Sequence, residues 1–154
     1  MSVSLDKLMQ QLNELLKPQE FSDYCPNGLQ VEGKKEIRKL VSGVTACQQL
    51  LDRAIAAGAD AILVHHGYFW RGEDQQVTGI RKNRIKTLLD NDVSLIAYHL
   101  PLDAHPSLGN NVQLGKRLGF SVHGELDPGN KSRVGVLGSL EKPLGGGELA
   151  KHIA

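Results

Sequence analysis

Ala61-Ile62-Leu63-Val64-His65-His66-Gly67 decides the fold, because four consecutive apolar residues run straight into two histidines and a glycine. A continuous apolar run this short, bounded by turn residues, is the signature of a strand buried on both faces, as in parallel sheets covered by helices. Polar residues at the carboxyl end of such a strand face the crevice where open α/β sheets bind their ligands.

The flanking sequence agrees with that reading. Before the run, residues 37–44 read as a strand. Thr45 is placed to cap a helix carrying Leu50, Leu51, Ala54 and Ile55, which Gly58 ends. After it, a polar loop leads to a helix over 82–90, a strand over 94–98 and a helix over 111–118 closed by Gly119. Upstream, Ser4 precedes Leu5, Leu8, Met9, Leu12, Leu15 and Leu16 at helical spacing, and Pro18 stops the helix. Residues 23–33 read as a loop around the turn Pro26-Asn27-Gly28. Strand and helix alternate, which predicts an α/β fold: a three-layer, mainly parallel sheet with helices on both faces, in a single domain over 1–154. Past Ser121 only residues 134–137 read clearly as a strand. Gly145-Gly146-Gly147 then opens two turns of helix, cut short at Ala154. This is the expected pattern of the N-terminal portion of a longer chain.

A chain of 154 residues can bury one real core. Eighteen Lys and Arg against 17 Asp and Glu leave a net charge of +1, which argues against nucleic acid as a partner. Apolar content of 40% with 23% charged residues excludes wholesale disorder. Cys25 and Cys47 are too few for a disulfide framework, lack metal-type spacing and read as structural thiols. No apolar stretch is long enough to span a bilayer, and Asp6 and Lys7 interrupt any signal-peptide core, so the expectation is a soluble, cytoplasmic protein.

His65 and His66 are the strongest chemical signal. Neighbours on a strand point to opposite sides, so the pair suits two ions about 3.5–4 Å apart better than a single chelate. Capping or hydrogen-bonding histidines are the other reading. His99-Leu100-Pro101-Leu102-Asp103-Ala104-His105 follows the next strand on the same sheet edge. Imidazole with carboxylate favours Zn, Fe, Mn or Ni over an all-oxygen cage. Asp103 is the expected ligand, His99 the residue for catalysis or for orienting a ligand, and His105 a loop residue before Pro106.

Tyr68-Phe69-Trp70-Arg71 gathers three of the chain's few aromatics beside the histidines, either to stack a planar base or to pack onto the core. Arg81, Lys82, Arg84 and Lys86 crowd a helix start, where the dipole disfavours cations. A bound phosphate, a carboxylate of another subunit or simple solvation each accounts for them. Tyr68, Trp70, Arg81, Lys82 and Arg84 are the candidate substrate contacts. Gly109-Asn110-Asn111 opens the next helix as an N-cap, with backbone N–H groups that can also face an anion.

Three segments together, 23–33, 58–67 and 99–105 with 109–111, resemble the dinuclear-metal proteins named GTP cyclohydrolase 1 type 2 homologs. The resemblance implies an α/β protein with two divalent metal ions held by His65, His66 and Asp103, assembled as a hexameric ring with the metal sites facing an internal cavity. It also implies a further His and Glu on a His-x-x-x-Glu helix. Neither His123 nor His152 is followed by Glu at that spacing. The implied activity is metal-dependent hydrolysis of a GTP-like nucleotide. The alternative is a non-catalytic ring: a scaffold, regulator or metal-handling protein.

Overall fold

The structure is a computed structural model that describes residues 1–129 and 134–154. Its contacts divide the chain into two compact units, Met1–His99 and Leu100–Ala154.

In the first unit, the two-residue strand β1 (Val3–Ser4) runs into helix α1 (Leu5–Leu16). Ser4 caps the helix, its hydroxyl accepting the backbone N–H of Lys7 at 3.3 Å. The helix ends at Lys17 in a left-handed conformation before Pro18, which cannot continue it. Strands β2 (Gly28–Val31), β3 (Glu36–Ile37) and β4 (Leu40–Thr45) follow, then helix α2 (Gln48–Ala56), strand β5 (Ala61–His66), helix α3 (Gly79–Asp90) and strand β6 (Ser94–Ala97).

The main sheet has four strands in the order β2-β6-β5-β4. Strands β4, β5 and β6 are parallel, with Val41 opposite Ile62 and Ile62 opposite Leu95. Ile62, Val64, Leu95 and Ala97 point to one face, where they share a core with Leu51 and Ala54 of α2 and Leu88 of α3. Tyr98 is buried too, and its hydroxyl donates to Asn13 of α1 at 2.6 Å.

The sheet is mixed: β2 joins β6 antiparallel beside the three parallel strands. Residues 28–31 read as loop in the sequence since a register shift between Leu29 and Val31 breaks the two-residue alternation. The expected strand 37–44 is two strands. Between them the N–H groups of Arg38 and Lys39 donate to the Asp60 carboxylate, at 2.9 and 3.1 Å, instead of entering a ladder. Asp60 also pairs with Lys34 at 2.9 Å. That hydrogen bond, with the two N–H donors, holds its pKa down at about 2. Helix α2 begins after Cys47, not Thr45, and α3 begins three residues earlier than its apolar pattern indicates.

The second unit holds the short helix α4 (Leu100–Asp103), helix α5 (Asn110–Arg117), an antiparallel pair β7 (Phe120–Glu125) and β8 (Val136–Leu140), and helix α6 (Gly146–Ile153). His152 of α6 reaches the carbonyl of Leu118 with Nε2 at 2.7 Å. No helix among the described residues is long and apolar enough to cross a membrane.

Candidate metal centre

His65 and His66 are the last two residues of β5, and His99 lies two residues beyond the end of β6. Because β5 and β6 are parallel neighbours, all three arrive at the same edge of the sheet. One ligand atom from each of His65, His66 and His99 lies within 4.8 Å of the others. The rings of His65 and His66 stand 4.3 Å apart, those of His65 and His99 4.9 Å, and those of His66 and His99 5.6 Å. Neighbouring histidines therefore converge here, in contrast to the strict alternation of a strand interior. At the strand's end, side chains that lean along the strand both reach past its last residue.

The hydrogen bonds select a tautomer. His65 Nδ1 lies 3.1 Å from the Tyr98 carbonyl. A carbonyl only accepts, so Nδ1 carries the proton and Nε2 the lone pair. His99 Nδ1 lies 3.0 Å from the Asp23 carboxylate, which imposes the same tautomer. His66 Nδ1 faces the Thr45 hydroxyl at 3.2 Å. Imidazoles held by their Nδ1 atoms against a carbonyl, a carboxylate and a hydroxyl are the usual surroundings of metal-binding histidines. The residues thus fit a divalent transition metal.

Asp23 is the residue that sequence reading missed. Its Oδ1 accepts the N–H of Tyr24 at 2.7 Å, and its Oδ2 accepts the Asn27 amide at 2.9 Å. Asn27 in turn accepts the His99 backbone N–H at 2.7 Å. Asp23, Cys25 and His99 form a second group with ligand atoms within 4.8 Å. Burial, reinforced by the Asp23 carboxylate, pushes the Cys25 thiol up to about 12. The signal was present as Asp23-x-x-Pro26-Asn27-Gly28, an acid four residues before an amide in a tight turn.

Gly67 follows β5 at a point with no room for a side chain. A Cβ there would lie 2.2 Å from Gln30 Oε1 and 2.7 Å from the Ala97 side chain. Gln30 cannot easily yield, since it accepts from the Tyr68 N–H at 2.7 Å and donates to the Pro26 carbonyl at 2.8 Å. Trp70 packs edge-on against His99 at 5.0 Å and lies 5.9 Å from the His66 ring, with Tyr24 5.7 Å away. Tyr68 is buried, and its hydroxyl donates to the Ala46 carbonyl at 2.9 Å.

A cavity of about 480 Å³ opens beside His66, lined among others by Thr45, Tyr68, Trp70, Arg81 and Arg84. Arg81 pairs with Glu73 at 3.5 Å and lies over the Phe69 ring at 5.0 Å. Lys86 pairs with Asp90 at 2.5 Å, and Lys82 is exposed and outside the lining.

Asp103 and His105 belong to the second unit. The Asp103 carboxylate accepts the Asn110 amide at 2.9 Å. His105 Nδ1 accepts the N–H groups of Ser107 and Leu108, at 3.2 and 3.1 Å, which makes it a loop-shaping residue.

Known proteins resemble this chain in sequence and in fold. The GTP cyclohydrolase 1 type 2 homolog of Pseudomonas aeruginosa is 54% identical over 153 residues, covering 99% of this chain and 61% of that protein. The one from Escherichia coli K12 is 54% identical over 147 residues, covering 96% of this chain and 58% of its own length. The chain therefore spans only about three fifths of these curated relatives. Among solved structures, protein ybgI, described as of unknown function, superposes with a TM-score of 0.90 at 51% identity over 97% of this chain and 59% of that one. TTHA1606 from Thermus thermophilus gives a TM-score of 0.76 at 39% identity, covering 81% and 52% respectively. Residues 3–154 match one family model throughout, and the chain belongs to the Duf34/NIF3 (NGG1p interacting factor 3) family.

Proposed function

We propose that this chain carries the histidine half of a dinuclear metal centre in a metal-dependent hydrolase acting on a GTP-like nucleotide. The observation that carries the reading is the convergence of His65, His66 and His99, with His99 backed by the Asp23 carboxylate. His65 and His66 are the proposed ligands, joined by Asp103, which follows His99 by one helical turn in sequence. Zn, Fe, Mn or Ni suits this donor set. When bound, two such ions supply Lewis acidity and a lowered water pKa for hydrolysis.

The chain's own residues have separate tasks in this reading. His99, fixed by Asp23 and Asn27, holds a proton at Nδ1 and offers Nε2 towards the reacting centre. Trp70 excludes water from one side of the imidazole cluster, and the cavity beside His66 receives the substrate. Assembly as a homo-oligomeric, hexameric ring is part of the same proposal.

The test is metal analysis of the protein at the length of its relatives, followed by hydrolysis assays over GTP, other nucleotides and phosphoesters. Metal-dependent turnover of GTP, abolished in His99→Ala with metal retained, supports the reading. Two bound ions without turnover of any member of the panel would replace the hydrolase with a metal-handling or scaffold protein.

A further inference from the structure

We propose that the cavity beside His66 is a binding site for a phosphoryl group, and that Arg84 is the residue that recognises it. The inference rests on the hydrolase reading above for the substrate's class, and it adds which end of the substrate the cavity takes.

The sequence places four cations, Arg81, Lys82, Arg84 and Lys86, along α3, and the structure accounts for them unequally. Arg81 is neutralised by Glu73, donates to the Asp74 carbonyl and lies over Phe69. Lys86 is paired with Asp90. Lys82 is exposed to solvent. Arg84 alone lines the cavity with no ion pair among the described residues, and its Nε is enclosed without a hydrogen-bond partner. A guanidinium enclosed without a counter-charge or acceptor is rare in native structures unless a ligand or water completes its hydrogen bonds.

The carboxylates around the cavity do not meet that need. Glu73 is occupied by Arg81 and by the Trp70 N–H, which donates to it at 3.2 Å. Asp74 accepts the N–H of Gln76 at 3.1 Å within its own turn. An external anion is then the partner that fits. Guanidinium groups bind phosphoryl oxygens through paired N–H donors at fixed spacing. The volume of about 480 Å³ lies in the range of small-molecule sites. His66 lines the same cavity, so an anion held by Arg84 has its remaining atoms on the side of the imidazole cluster. Arg81, fixed by Glu73 and Phe69, closes one wall and leaves recognition to Arg84.

Inorganic pyrophosphate is the probe, and Trp70, the chain's one tryptophan and a cavity-lining residue, is the reporter. The titration is run on the full-length protein as purified and again after dialysis against a chelator, because a metal centre also attracts phosphate. Saturable change in Trp70 emission is expected in both preparations. Arg84→Gln should weaken it at least tenfold in both, Arg84→Lys by less, and Arg53→Gln, which removes a charge outside the cavity, by under twofold. Circular dichroism and metal content of Arg84→Gln equal to wild type show that fold and centre survive. Pyrophosphate binding equal in Arg84→Gln and wild type overturns the proposal while leaving the metal reading in place. Binding lost entirely on chelation overturns it too, by assigning the anion to the ions alone. A wild type that binds no metal yet keeps Arg84-dependent binding sinks the hydrolase and upholds the anion site.

Discussion

Asp23 holds His99 through a 3.0 Å contact to Nδ1 while its other oxygen fixes Asn27, so one carboxylate sets both the tautomer and the position of an imidazole. Replacing it with Asn keeps an acceptor for the turn but removes the charge that holds the His99 proton at Nδ1. Asp23→Asn should lower metal-dependent turnover about 10–100-fold, the usual cost of losing such a partner, with the metal retained. A hydrolysis assay beside metal analysis reads this directly, and unchanged turnover would show that His99 needs no carboxylate. Asp60 is the other carboxylate with a defined task, joining Lys34 to the backbone of Arg38 and Lys39. Its pKa is lowered from 3.8 to about 2 on folding. The stability it gives is present above the unfolded value and is lost as pH falls through about 2. Asp60→Asn should therefore cost about 1–2 kcal/mol at pH 7, discounted for partial solvent screening. The urea midpoints of variant and wild type should converge as the pH approaches 2; a gap of constant size would contradict the assignment.

At the scale of elements, the run over 61–66 and its neighbours were legible because buried parallel strands announce themselves as short apolar blocks. The imidazole cluster followed from it, since two successive parallel strands deliver their carboxyl ends to one edge. Strand β2 was not legible: its Gly28 and Val31 are buried, but the bulge between Leu29 and Val31 scrambles the alternation. The break between β3 and β4 was equally hidden, because a side chain from 21 or 22 residues away takes the N–H donors. Thr45 looked like an N-cap and instead faces His66, a tertiary demand overriding a local preference. The packing after β5 depends on Gly67. Gly67→Ala would drive a methyl into the anchored Gln30 amide and should cost about 1–3 kcal/mol, as overpacking does. It should also loosen Trp70, whose indole donates to the Gly67 carbonyl at 3.2 Å. Thermal unfolding with Trp70 emission as a second probe checks this; a variant as stable as wild type, with unchanged emission, would show that Gln30 yields freely.

For the whole molecule, the first unit carries three histidines that its own strands bring together. The relatives are longer, with this chain covering 61% and 58% of the two compared. The resemblance implies that further ligands lie in the remaining length. The 154-residue chain should accordingly fold around its α/β core yet hold metal less tightly than a protein of the relatives' length. A catalytic ion normally takes three protein ligands, which His65, His66 and Asp103 cannot supply to two ions at once. The most direct measurement is elemental analysis of the longer protein after loading with Zn, Fe, Mn or Ni in turn, beside its His65→Ala/His66→Ala double variant. Close to two equivalents of one of these metals are expected in the wild type, and a large loss in the variant with its circular dichroism unchanged. A wild type that binds none of the four, or a folded variant that keeps its full complement, would contradict the dinuclear reading.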